Sequence, residues 1–576
     1  MEPVSFGNCF GWLHRGTAAR GVVLMNPFGF EELCTRKTFA LLAQALSARG
    51  IPVLRFDWSG TGDSLGGPND PRQYGRWRND ASDAVSTLKT LTGVDDVVAV
   101  GMRLGALLAA DAASASNDIS RLVLLAPPAS GKAWLHEASA FARIMAVPGV
   151  SPATTEGLEV AGFRLAPDSL EAIRKAGWSE LPSCPALKVD IFASNGAGER
   201  ISQHMKSRGA KTACHDFTGY DALMCDPTAS QAPLALIEQL AESIAADAPA
   251  SKRKCSAPAF APMTGHGFSE TPARLGKDQA MAGILCQPIE RTDRSEAVIF
   301  LNAGAIHHIG WARMNVDLAR RLARQGIGSL RLDLPGVGDS ARPGDPPVAS
   351  LYARLMTEEV TQAIDWLKAR GYRRITLAGS CSGAYQAYHA ALADKRVDGL
   401  VLLNQLCFVW SASYAMQFNA WQATKSRSMQ ARMAASSSDE ALDASRTLAR
   451  LMPIAKKVAK GGLSALMSLQ TYASQAFSRE RPVEAAFINL SSRGTQVMLA
   501  YSAGDAGLAE LDRHLGPDGI NATSLPGISK RIIENADHML TPAKARSDFA
   551  DQLVAFLDAN LSEAEAPHHD RELVSA

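Results

Sequence analysis

Arg374-Ile375-Thr376-Leu377-Ala378-Gly379-Ser380-Cys381-Ser382-Gly383-Ala384-Tyr385-Gln386-Ala387-Tyr388-His389-Ala390-Ala391-Leu392 is the stretch that decides the fold. Its first five residues are a short apolar run of strand character. Its last nine have helical composition. Between them lies Gly-x-Cys-x-Gly. A strand, a Gly-x-nucleophile-x-Gly turn and a helix form a nucleophile elbow, which thrusts its central side chain out at the start of the helix. The central residue here is cysteine, where serine is usual. The helix dipole favours the thiolate at that position. The plainer alternative is a Gly/Ser-rich strand-to-helix turn with a buried cysteine.

Working outward, the chain repeats itself. Leu41-Leu42-Ala43-Gln44-Ala45-Leu46-Ser47-Ala48-Arg49-Gly50-Ile51-Pro52-Val53-Leu54-Arg55-Phe56-Asp57 returns 276 residues later as the segment from Asp317 to Asp333. Gly60-Thr61-Gly62-Asp63-Ser64 returns as Gly336-Val337-Gly338-Asp339-Ser340, and Asn26 as Asn302. Leu122-Val123-Leu124-Leu125 returns as Leu400-Val401-Leu402-Leu403. Each copy alternates apolar strand-like runs with amphipathic helical segments. That pattern implies a mostly parallel sheet covered by helices on both faces. The fold expected is therefore α/β, as two tandem units. Unit one is placed at 1–248, a Pro-, Ala-, Ser- and Lys-rich linker at 249–263, unit two at 264–562 and a polar tail at 563–576. His568 and His569 read as solvated tail residues. Unit two is longer between its strands near Leu403 and Val497. The Ala-, Met- and Ser-rich insertion, at about 408–490, reads as a helical lid that selects substrate.

Composition narrows the partners. The 576 residues are 46% hydrophobic, enough for two ordinary cores, and the net charge is +1. Nothing in that balance favours nucleic acid. The 9 cysteines lack paired CxxC spacing, which argues against a disulfide framework or a zinc site and for a reducing compartment. No signal peptide, membrane span, cofactor or metal is expected, and the localisation expected is cytoplasmic.

The elbow resembles that of the α/β-hydrolases, whose chain order is nucleophile, acid, histidine. After Cys381, Gln496 to Asp505 reads as a strand ending in a loop with an acid at its tip, so Asp505 is the candidate orienting carboxylate. Asp512, inside a helical pattern, is the weaker alternative. Downstream lie His514, His538, His568 and His569. His538 follows a short apolar strand and precedes a helical segment from Ala543 to Leu557, so it is the candidate base. The oxyanion hole needs two backbone N–H groups. Ser382 and Gly304, the latter on the loop after Val298-Ile299-Phe300-Leu301, are the candidates. His307 and His308 on that loop are left open between substrate contact and capping or solvated roles.

Taken together, Asn302-Ala303-Gly304, Arg331 to Ser340, the cysteine elbow, Ser502-Ala503-Gly504-Asp505 and Ala536-Asp537-His538 resemble the serine-aminopeptidase-like α/β-hydrolases. Among these, the hydrolases encoded beside exosortase and exopolysaccharide systems are the most similar. The elbow cysteine also resembles that of dienelactone hydrolases. The resemblance implies hydrolysis or transfer at an ester, thioester or amide carbonyl through a covalent S-acyl cysteine, and the cysteine argues against amides. The expected substrate is a small acyl ester or thioester, with an acyl carrier or biosynthetic partner as a further possibility. An acyltransferase in polysaccharide or natural-product biosynthesis, a non-enzymatic scaffold and a redox-sensing cysteine are the competing readings.

Unit one lacks this chemistry. Its elbow is Gly101-Met102-Arg103-Leu104-Gly105, and a guanidinium is no nucleophile. Alignment puts Ala197 at the acid position and Ala222 at the histidine position. Arg103, at a helix N-terminus, is a candidate anion site for carboxylate or phosphate. An ion pair with Asp63, Glu31 or Glu32 is the alternative.

Overall fold

The computed structural model describes the chain apart from 148–156, 182, 184–185, 194–196, 229, 247, 250–259, 291–293, 305, 343–351, 353, 412–414, 416–480 and 566–576. Two sheets organise it. The first, from edge to edge, runs Glu2–Phe6, Cys9–His14, Val53–Phe56, Arg20–Met25, Asp96–Met102, Ile119–Leu125, Lys188–Phe192 and Lys211–His215. The second runs Met263–Gly265, Phe268–Leu275, Met281–Pro288, Gly328–Asp333, Glu296–Leu301, Arg374–Ser380, Val397–Leu403, Gln496–Ser502 and Ile528–Ile533. Each sheet begins with antiparallel strands and is parallel from its third or fourth strand onward. The parallel strands are continuous apolar runs because both faces are covered: Val97 to Val100 and Leu400 to Leu402 are fully buried.

The repeat seen in sequence is a repeat of structure. Arg55 lies in one strand with Asp57 just after it, Arg331 lies in the counterpart strand with Asp333 as its last residue, and the Gly-x-Gly-Asp-Ser turn follows both. Within each unit the turn is pinned alike. The Asp63 amide donates to Asp57 Oδ2 at 3.1 Å, and the Asp339 amide to Asp333 Oδ2 at 2.9 Å. Ser64 Oγ donates to the Asp57 carbonyl, and Ser340 Oγ to that of Asp333.

The two units also interlock through these turns. Arg55 of unit one donates to Asp339 of unit two at 2.6 Å, and Arg331 of unit two donates to Asp63 of unit one at 2.9 Å. The two contacts are the same contact with the units exchanged. Asp339 further accepts from Arg36 and from Trp12 Nε1 (2.8 Å). His308 bridges Asp63 (2.7 Å) and Asp333 (2.9 Å). Arg313 donates to the carbonyls of Gly62, Gly66 and Ser64. Apolar contact surrounds the lock: Phe10 and Trp12 pack with Met263 and Ile284, and Trp311 joins the core of unit one.

Most of the expected lid, 408–490, lies outside the described residues. So do His568, His569 and most of the expected linker. The C-terminal helix, Ala543–Glu565, runs past the expected end of unit two at 562.

Candidate active site

The strand Arg374–Ser380 ends at Cys381, and the helix Ser382–Ala393 starts one residue later. The turn is tight enough to force Cys381 itself to φ 55, ψ −118. A non-glycine residue at positive φ is strained, and such strain gathers at functional sites. The flanking glycines serve close approach. A Cβ on Gly379 would lie 2.2 Å from Gly383, and one on Gly383 would lie 2.6 Å from the Asn302 carbonyl. Arg103 sits on the same turn in unit one, at φ 53, ψ −120, so the elbow persists there without a nucleophile.

Cys381, Asp505 and His538 come together from three loops. His538 Nδ1 and Asp505 Oδ2 are 2.8 Å apart, and Asp505 is anchored by the Gly507 amide at 2.8 Å. His538 Nε2 faces Cys381 and interacts with it by charge, without a hydrogen bond of ordinary geometry. Burial alone would favour neutral groups. It is outweighed by the mutual attraction of the pair, so the Cys381 thiol is held below its ordinary value. The neighbouring thiolate and the Asp505 hydrogen bond carry His538 up to about 10. Both shifts run towards the same charge state, a thiolate beside an imidazolium. Asp512 lies within the helix Gly507–Leu515, and His514 pairs with Glu510 on that helix.

Two residues that carried no sequence signal complete the arrangement. Asn404, fully buried, donates from Nδ2 to Ser502 Oγ (2.9 Å) and to the His538 carbonyl (2.8 Å), and accepts the Ser502 amide. It ties the acid loop to the histidine loop. Tyr352 places its hydroxyl 3.3 Å from Cys381 Sγ. Its ring stacks on Trp410 (centroids 4.8 Å, 11°) and tilts against Tyr385. Neither could be found by motif, since both lie in segments without a distinctive pattern.

Of the two expected oxyanion amides, that of Ser382 lies beside the sulfur and helps lower its pKa. The Gly304 N–H is engaged: it donates to the Ser382 hydroxyl at 2.7 Å. Thr228 of unit one packs against Gly304, where a Cβ would meet it at 2.9 Å. His307 and His308 do not face the site; both are buried at the junction of the units. Burial pushes His307 down to about 3, and its neighbour Glu32 up to about 8, so both are driven towards their neutral forms.

His308, Asp333 and Asp339 also offer ligand atoms within 4.8 Å of one another. They do not fit a metal, because Arg36 and Arg55 already hold Asp339 and both His308 nitrogens are in use. In unit one, the Arg103 guanidinium is taken by Glu31 (2.7 Å) and by Glu137. Its charge is answered within the domain, as in the ion-pair alternative, by Glu31 and, beyond the partners weighed there, by Glu137. Asp63 and Glu32, the other suggested partners, face the interlock instead. Arg103→Ala is accordingly expected to lower the melting temperature, because two carboxylates lose their cation. It should leave turnover at Cys381 unchanged. Loss of turnover at an unchanged melting temperature would contradict this. Ala222 lies on the short helix Tyr220–Leu223, and 194–196, before Ala197, lie outside the described residues.

Among the described residues no helix is long and apolar enough to cross a membrane. Residues 298–552 match the model of the alpha/beta hydrolase family, and 17–157 match that of the serine aminopeptidases (S33). Solved structures similar to this chain include an esterase of Pyrococcus furiosus, 12% identical, covering 51% of this chain and 91% of that one at a TM-score of 0.33. Another is a Butyrivibrio proteoclasticus protein with ferulic acid bound (17% identical, 42% and 97% covered, TM-score 0.31). A third is an α/β serine hydrolase without a lid from Xanthomonas campestris (12%, 48% and 88%, 0.29). No curated protein is similar to the chain. The chain is built of two α/β-hydrolase domains in tandem, each a mostly parallel sheet flanked by helices.

Proposed function

We propose that unit two is an acyl hydrolase, an esterase or thioesterase, that works through a covalent S-acyl-Cys381 with His538 and Asp505. The observation that carries this reading is the convergence of three loops. A cysteine on a strained elbow faces an imidazole whose other nitrogen is 2.8 Å from a buried carboxylate. The thiolate sulfur adds to the acyl carbon, and the carbonyl electron pair moves onto oxygen. On collapse the alkoxide or thiolate leaves with the proton of His538 Nε2. His538 then takes a proton from water, the hydroxide adds to the thioester, and collapse releases the acid and the Cys381 thiolate. An acceptor hydroxyl in place of water would make the same intermediate an acyltransferase. The arginine and alanines at the matching positions of unit one support a non-catalytic role for it, and boundaries near 248 and 263 separate the two.

Intact mass after exposure to a panel of acyl esters and thioesters tests the reading. The expected result is one acyl adduct, on Cys381. An adduct elsewhere, or turnover without any adduct under rapid quenching, would overturn it. The acylation rate should follow a bell in pH. It rises through a midpoint below the ordinary thiol value, because the thiolate exists only above the lowered pKa. It falls above about 10, where the imidazolium loses the proton that the leaving group needs. A rate that climbs as for an ordinary thiol, with no early plateau, would contradict the ion pair.

A further inference from the structure

We infer that the phenolic hydroxyl of Tyr352 is an oxyanion donor of this site, partnering the Ser382 amide in the place expected for the Gly304 N–H; the inference rests on the acyl-enzyme reading above. Three observations carry it. First, the Gly304 N–H is spent on Ser382 Oγ at 2.7 Å, so the second donor of a two-donor hole has to come from elsewhere. Second, the Tyr352 hydroxyl stands 3.3 Å from Cys381 Sγ, so an acyl oxygen two bonds beyond the sulfur and turned to the tyrosine's side comes within its reach. A thiolate has no proton to give, so in the ion-paired state the tyrosine is the donor. Third, Tyr352 is held in place before substrate arrives. It is buried and stacked on Trp410, and the chain beyond it is clamped by Gln386. Gln386, itself buried on the helix that follows the nucleophile, accepts the Met356 amide at 2.8 Å and donates to the Arg354 carbonyl at 2.9 Å.

Movement of charge during the reaction gives this donor its task. In the ion-paired state the negative charge is on sulfur, and the tyrosine hydroxyl, 3.3 Å away, donates to it. As the carbon–sulfur bond forms, sulfur becomes neutral and the charge passes to the carbonyl oxygen beside it. The hydroxyl loses its acceptor at the moment a new one appears within the same reach. It keeps its proton throughout; only its hydrogen bond changes partner. A rigid donor that is itself buried beside the sulfur stabilises the developing oxyanion without reorganising, which is where such groups contribute most. Tyr352 thereby touches the reacting atoms and is a catalytic residue, while Gln386 is a positioning residue behind it.

Tyr352→Phe, which removes one oxygen and keeps the ring stack, tests this in the full-length protein. The probes are p-nitrophenyl acetate for turnover and iodoacetamide for the ionisation of Cys381. Each variant is assayed at a pH where its own Cys381 is fully ionised, so that any change in thiol pKa is removed from the comparison. The expected result is a fall in kcat of about 10²-fold with KM within a few-fold. Gln386→Leu, which releases the clamp, should lower kcat in the same direction by less, with the iodoacetamide rate on the ionised thiol unchanged. A wild-type kcat in Tyr352→Phe would overturn the inference. So would a fall that vanishes once the thiol is ionised, since that confines the hydroxyl to stabilising the thiolate. Neither outcome touches the acyl-enzyme reading, which fails separately if wild-type protein forms no acetyl adduct on Cys381.

Discussion

Cys381→Ala is expected to leave no measurable turnover of a small ester in a protein that folds and melts like the wild type. Alanine accepts the elbow's backbone about as readily as cysteine, and only one buried sulfur is removed. What disappears is the electron pair that forms the acyl bond. The thiolate–imidazolium pair goes with it, so His538 loses the charge that raises its pKa and no longer holds its proton to high pH. Removing a nucleophile that acts as one unit with its base and orienter costs on the order of 10⁶ in kcat in a hydrolase triad. Cys381→Ser keeps a fraction of the rate, because a hydroxyl suits this elbow but does not ionise beside His538. Hydrolysis of p-nitrophenyl acetate, read together with thermal melting, decides the matter. Wild-type turnover in a folded Cys381→Ala protein would remove the assignment altogether.

Asp339→Ala is expected to destabilise the chain by roughly 3–5 kcal/mol, the typical result of removing one partner from a buried ion pair. Asp339 is 3% exposed and receives hydrogen bonds from Arg36, Arg55 and Trp12, all from the other unit. Those two arginines hold its carboxyl far below the usual range, although burial works the other way. Without it, Arg36 keeps Asp57 and Glu32, while Arg55 stays buried with no carboxylate in salt-bridge distance among the described residues. Asp63→Ala should act in the same direction from the other side, by less, because Arg331 keeps Glu270 and His308 keeps Asp333. Because the lock joins the units, its loss should also split one cooperative denaturant transition into two. A control is Lys544→Ala, which breaks an exposed pair with Asp548. Such surface pairs contribute about 0–1 kcal/mol. Denaturation curves that place Asp339→Ala beside Lys544→Ala would show the lock to be energetically idle.

The interlock also explains a motif that the sequence presents without a purpose. Gly60-Thr61-Gly62-Asp63-Ser64 and Gly336-Val337-Gly338-Asp339-Ser340 stand out only as a repeat. Their serines hold the turn inside each unit, a local task. Their aspartates reach across to the arginine of the other copy, 268 or 284 residues away in the chain. Each unit uses for docking the same two residues that the other uses. A duplicated chain thus joins its halves by a contact that two separate copies could make about a two-fold axis.

The sequence alone determined whatever is written in local pattern. The alternation of apolar runs with amphipathic helices specified two parallel sheets, because backbone pairing and two-sided burial need that periodicity. The Gly-x-Cys-x-Gly spacing specified the elbow, because only glycines permit the approach of helix to strand. The order Cys381, Asp505, His538 followed from which strand ends they occupy, and the loss of a nucleophile in unit one was legible at Arg103. Only the tertiary structure decided who meets whom across the fold. It paired Arg103 with Glu137, sent His307 and His308 to the junction, filled the Gly304 amide with Ser382 and brought Tyr352 and Asn404 to the site. None of these contacts has a period or a fixed spacing. Each is settled by how two sheets dock and by which charges and hydrogen-bond donors find partners once water has been excluded.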